Sequence, residues 1–150
     1  MSVKSQETNM RRLAELLSRD LSYIWGERES GPNGEKETFL RVGRTFLRGL
    51  ARDLELCDAK VRAHPGGIAV SGECILNGMW GDGGIHISIG HIVSNREKVL
   101  LFRSIRNMED HTGGRNMFLT RRDLEQWSYR QLLDQFLTLR KEAVSYERAA

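Results

Sequence analysis

CDAKVRAHPGGIAVSGECILNGMWGDGGIHISI, residues 57–89, is the stretch on which the fold class turns. Its first eight residues alternate Cys57, Ala59, Val61 and Ala63 with Asp58, Lys60, Arg62 and His64. A period of two puts the small and apolar side chains on one face of a half-buried strand. Pro65-Gly66-Gly67 turns the chain. The returning run to Met79 alternates Ile68, Val70, Gly72, Cys74 and Leu76 with Ala69, Ser71, Glu73, Ile75 and Asn77. Gly81-Asp82-Gly83-Gly84 marks the next turn, after which Ile85, Ile87 and Ile89 alternate with His86, Ser88 and Gly90. Strands joined by loops this short pair antiparallel, so the reading is a meander.

Outward from this core, the polar cluster Ser94 to Lys98 supplies a third turn, Val99 to Ile105 a fourth strand and Met117 to Leu119 a short fifth. Upstream, Met10, Leu13, Leu16, Leu17, Leu21 and Ile24 recur at helical spacing and predict a helix over about 9–26. Three glycines and a proline in residues 26–35 read as a surface connection that can act as a hinge. A second helix is predicted over about 36–56, with Phe39, Leu40, Phe46, Leu47, Leu50 and Leu54 on its apolar side. Gly43 and Gly49 lie inside it, and each costs about 1 kcal/mol against Ala unless another element packs closely there. Downstream, Thr120 followed by Asp123 is a capping-box variant opening a helix over about 121–146. Two N-terminal helices, an antiparallel meander of four to five strands and a C-terminal helix packed on the sheet make an α+β fold, read as one domain over residues 1–150.

The composition excludes several classes. The longest apolar runs, such as Val99 to Phe102, fall far short of the roughly 20 residues a membrane helix needs, so no membrane partner is expected. The N-terminal MSVKSQETNMRR lacks the apolar segment of a secretory signal, which makes a cytoplasmic location the expectation. Cys57 and Cys74 match no metal or disulfide spacing and sit in alternating apolar patterns, so two buried free thiols are expected. The net charge of +3 is divided evenly along the chain rather than gathered in a tail. What stands out is its chemistry, 18 Arg against 5 Lys, because the planar guanidinium fork suits phosphate and carboxylate.

Three constellations are candidates for function. The loop RNMEDHTGGRN, residues 106–116, brings Asp110, His111, Arg115 and Asn116 around Gly113-Gly114. Paired glycines expose backbone amides in a concave nest that can hold an anion. The second constellation is on the sheet, where Glu73, Ser71, His86, Ser88 and Arg103 share a face if the register allows; a slip of one residue would reverse it. The third is the series Arg41, Arg44, Arg48 and Arg52, which steps by three and four and stacks along one helical stripe. Either it tracks phosphates, or it is a solvated face stitched by weak ion pairs, with Glu37 four residues before Arg41.

No HExxH, CxxC, GxSxG or Walker loop occurs, so no metal, cofactor or catalytic residue is assigned. His86 and His91, five apart, point to opposite faces of a regular strand. The reading that follows is a small accessory or binding protein contacting a protein or anionic ligand through the 106–116 loop and neighbouring arginines. One alternative is an enzyme or small-molecule pocket built from Glu73, His86 and Arg103, with His111 beside them. The other is nucleic-acid binding through the arginine stripe. Ile75, Met79, Trp80, Ile92 and Phe102 interrupt the alternation, which would bury both sheet faces and suggests a two-fold homodimer.

Overall fold

The computed structural model describes residues 2–19, 21, 34–66, 72–91, 97–112 and 114–149, with side chains to Arg140. Helix α1 (Val3–Leu17) is followed by α2 (Glu35–Asp53), then strands β1 (Cys57–His64), β2 (Glu73–Met79), β3 (Gly84–Gly90), β4 (Lys98–Ile105) and β5 (Met117–Thr120), and helices α3 (Arg121–Gln126) and α4 (Tyr129–Ala149). The five strands form one antiparallel sheet in the order β1-β2-β3-β4-β5, the predicted meander. Residues 26–33 of the predicted 26–35 connection, Gly67 of the first turn, residues 68–71 of the predicted second strand and residues 94–96 of the 94–98 turn lie outside the described residues.

Helix boundaries depart from the sequence reading for reasons that lie in the caps. Helix α1 begins at Val3 because Ser2 accepts a hydrogen bond from the Ser5 amide (3.1 Å), and it ends at Leu17 with Ser18 as its C-cap. The expected range of 9–26 followed the apolar spacing and missed this cap. The C-terminal helix is two helices. Thr120 and Asp123 form the predicted capping box, and α3 stops at Gln126. Ser128 and Gln131 then exchange hydrogen bonds, Gln131 N donating to Ser128 Oγ (3.1 Å) and Ser128 N to Gln131 Oε1 (2.9 Å). This is a second capping box, and it starts α4.

The helices lie on one face of the sheet, with α2 over β1 and β2 and α4 over β3 and β4. That face presents Cys74, Leu76, Ile85, Ile87, Ile89, Leu100, Phe102 and Leu119, all buried with the apolar sides of α1, α2 and α4. Burying each large side chain contributes roughly 1.5–3 kcal/mol. Both helical glycines are explained by close approach. A Cβ on Gly43 would overlap Cys74 Sγ, and one on Gly49 would come within 2.7 Å of Gln6 Nε2. Gln6 is itself fully buried and ties three helices together, donating to Phe46 O (3.0 Å) and to the Tyr129 hydroxyl (3.3 Å). That hydroxyl donates in turn to Asp53 Oδ2 (2.6 Å).

Three expectations are corrected. Strand β1 is not half-buried along its length: Cys57 through Lys60 are exposed, and only Val61 and Ala63 pack on the core. The register shifts between Cys57 and Lys60, and Asp58 takes a positive φ of 52°, so the alternation fails where this edge strand begins. Cys57 is therefore an exposed thiol and Cys74 a buried one. Phe102 does not break the alternation either, since it sits on the helix face in edge-to-face contact with Phe136. Ile75 and Met79 do point to the other face, yet a single chain already buries them, so they do not require a second copy. Ile92 lies outside the described residues. Among the described residues, no helix is long and apolar enough to cross a membrane.

Candidate functional site

Strand register builds the site on the face opposite the helices. Pairing sets Lys60 beside Asn77, Asn77 beside His86 and His86 beside Arg103, a polar row across four strands. The next row runs Arg62, Ile75, Ser88, Leu101 and Phe118. Glu73, His86, Ser88 and Arg103 thus share one face, the arrangement that the sequence left to the register, and Ser71 lies outside the described residues.

The row is bonded crosswise. His86 donates from Nδ1 to Asn77 Oδ1 (2.7 Å), and Ser88 donates to Glu73 Oε2 (2.8 Å). Asn77 is buried, and sequence reasoning passed over it; its signal was the shared odd-numbered parity with Glu73 and Ile75.

The loop after β4 folds onto this row, so the loop and sheet candidates are one site. The His111 ring lies 5.4 Å from the His86 ring, centroid to centroid. Arg103 donates from Nη2 to Gly114 O (2.7 Å) and from Nη1 to Asn116 Oδ1 (3.0 Å). Arg103 Nε is buried with no hydrogen-bond partner. The guanidinium is thus clamped by neutral acceptors, and no carboxylate of the described residues lies within ion-pair distance of it.

Several loop residues have local partners. Asn107 Oδ1 accepts from the amides of Glu109 and Asp110, and Asp110 Oδ1 accepts from both the amide and the hydroxyl of Thr112. Those Thr112 bonds, the hydroxyl first, hold the Asp110 carboxyl below the usual range. His111 donates from Nε2 to Met108 O (3.1 Å). Asp110 thus shapes the turn, and Arg115 is exposed. Gly113 lies outside the described residues, and Gly114 contributes its carbonyl to Arg103.

The electrostatics of the face are one-sided. Burial first, then the neighbouring His111, push the His86 pKa down to about 4; Arg103 and Arg62 add to this and Glu73 opposes it. His86 is accordingly neutral at pH 7. Among the described residues Glu73 is the carboxylate that acts on it, and Ser88 already engages that carboxylate.

The arginine stripe of α2 lies elsewhere. Arg41, Arg48 and Arg52 are exposed, Arg44 is half-buried, and none joins an ion pair among the described residues. His91 donates from Nε2 to Leu17 O (2.9 Å), away from His86. Among the described residues no group of three or more His, Cys, Asp or Glu side chains could hold a metal ion. Comparison with protein-family models, with curated proteins and with solved structures returns no match to this chain.

Proposed function

We propose that the protein is a small cytoplasmic binding protein that takes an oxyanion, carboxylate or phosphate, from a protein or small-molecule partner at the face where loop 106–116 meets β3 and β4. One observation carries this reading. Arg103 holds a full positive charge in a partly buried setting with only an amide oxygen and a peptide carbonyl as partners. A guanidinium in a low-dielectric setting ordinarily finds a carboxylate, and an uncompensated one is a prepared anion site. Lys60, Arg62 and His111 bias the field in the same direction.

The catalytic alternative has less behind it. A general base works best with a pKa near the operating pH, and an imidazole at about 4 is a weak one. Glu73 is committed to Ser88.

Sulfate and acetate are suitable probes, followed by NMR titration at constant ionic strength. Arg103→Gln is expected to abolish the saturable shifts, and Arg103→Lys to retain weaker ones. Glu73→Gln is expected to bind at least as well as wild type. Wild-type affinity in Arg103→Gln would refute the proposal.

A further inference from the structure

The α2 stripe is a separate feature, and the alignment of four arginines on one face without an ion pair among the described residues is the observation to explain. At about 100° and 1.5 Å per residue, Arg41, Arg44, Arg48 and Arg52 fall within an arc of about 80° along about 16 Å of helix. Among the described residues none of the four joins an ion pair of the kind that would stitch a solvated face. Two arginines off the stripe do form ion pairs: Arg19 pairs with Glu15 (3.1 Å) and Glu35 (2.8 Å), and Arg121 with Glu97 (3.5 Å) and Glu125. Of the acidic residues of α2 itself, Glu35 pairs with Arg19 and Asp53 accepts a hydrogen bond from the Tyr129 hydroxyl. The helix thus keeps four like charges at repulsive spacings, none of them in an ion pair among the described residues.

The surroundings point to the kind of partner. A protein interface centres on apolar or aromatic anchors, and the one large hydrophobic exposed among the described residues is Val3, on α1. Backbone contact to nucleic acid needs no such anchor, because guanidiniums bind phosphate oxygens directly and release counterions. No aromatic side chain interrupts the stripe, as stacking on unpaired bases would require. We infer that the exposed arginine stripe of α2 docks along the phosphate backbone of duplex DNA, independently of base sequence.

The test is fluorescence anisotropy with a labelled 24-base-pair duplex of arbitrary sequence, titrated at several salt concentrations. Four phosphate contacts give a slope of log K against log salt near about −3.6, an affinity loss of about 150-fold between 50 and 200 mM. R41Q/R44Q/R48Q/R52Q should remove most of the binding and flatten the slope. K4Q/R12Q/R122Q/R130Q removes the same number of cations elsewhere and should keep both the stripe's slope and most of the affinity. Circular dichroism and thermal melting confirm that both variants fold. The inference is overturned if wild type fails to bind at 20 mM salt, if the two quadruple variants lose affinity equally, or if poly-glutamate competes as well as unlabelled duplex.

Discussion

Acidification should destabilise this protein in a pH range where carboxylates are still ionised, and His86 is the reason. In the folded chain His86 is held near a pKa of about 4 by burial, by the neighbouring His111 and by Arg103 and Arg62. In the unfolded chain it returns to about 6.5. Between these values the unfolded state binds the extra proton, so stability falls as pH drops from 6.5 towards 4 and is restored above 6.5. Without screening, the loss between pH 7.5 and 5 would be about 2 kcal/mol for this one group. His86 retains partial exposure, and solvent screening reduces the expected effect to about 1 kcal/mol. Urea unfolding at pH 7.5, 6.5, 5.5 and 5.0 measures it, with His86→Gln as the reference that lacks the titrating ring but keeps a polar side chain opposite Asn77. His111→Ala removes one cause of the depression and should raise the His86 pKa, reducing the pH dependence while the larger contribution from burial remains. A wild-type stability that stays flat from pH 7.5 to 5, or an NMR titration placing His86 near 6.5, would refute the reasoning.

Three further outcomes test the packing. Tyr129→Phe should cost about 1–3 kcal/mol in urea unfolding, because it strips Asp53 and Gln6 of a shared buried partner; a loss below a few tenths would show the network to be idle. Gly43→Ala should destabilise by about 1–3 kcal/mol through overlap with the Cys74 side chain, and Cys74→Gly in the same chain should recover much of it. One thiol should react rapidly with a disulfide reagent in the native protein and the second only on unfolding, since Cys57 is exposed while burial raises Cys74 to about 12; two equally fast thiols would contradict the fold.

The sheet was legible in the sequence because Ile85, Ile87 and Ile89 against His86 and Ser88 leave one register that buries the apolar set, and the GDGG turn pins it. That same parity placed Glu73, His86 and Arg103 on one face. The interiors of α1 and α2 followed from apolar spacing, and Gly43 and Gly49 announced close contacts before the partners were known. Boundaries were harder. Ser2 and Ser128 set helix starts by hydrogen bonds that apolar periodicity does not register. Strand β1 misled because alternation implies a covering layer, and the first part of an edge strand with a register shift has none. The merging of loop and sheet into one site is tertiary information: the 5.4 Å approach of His111 to His86 depends on how the Asn107 and Asp110 turns bend the chain. Likewise, nothing in the spacing of Glu35, Glu37 and Arg41 told that Glu35 would be claimed by Arg19 of α1.

The most direct test of the anion site is the pKa of His86 itself, read from its imidazole NMR signals with and without saturating sulfate at matched ionic strength. A negative charge about 6 Å away in a medium of effective dielectric about 20 is worth about 2.8 kcal/mol, or about two pH units. Seating an oxyanion beside Arg103 should therefore lift His86 from about 4 to well above 5 in wild type and leave it unmoved in Arg103→Gln. A His86 pKa that sulfate does not change, with no shift at Arg103 or His111, would contradict the account.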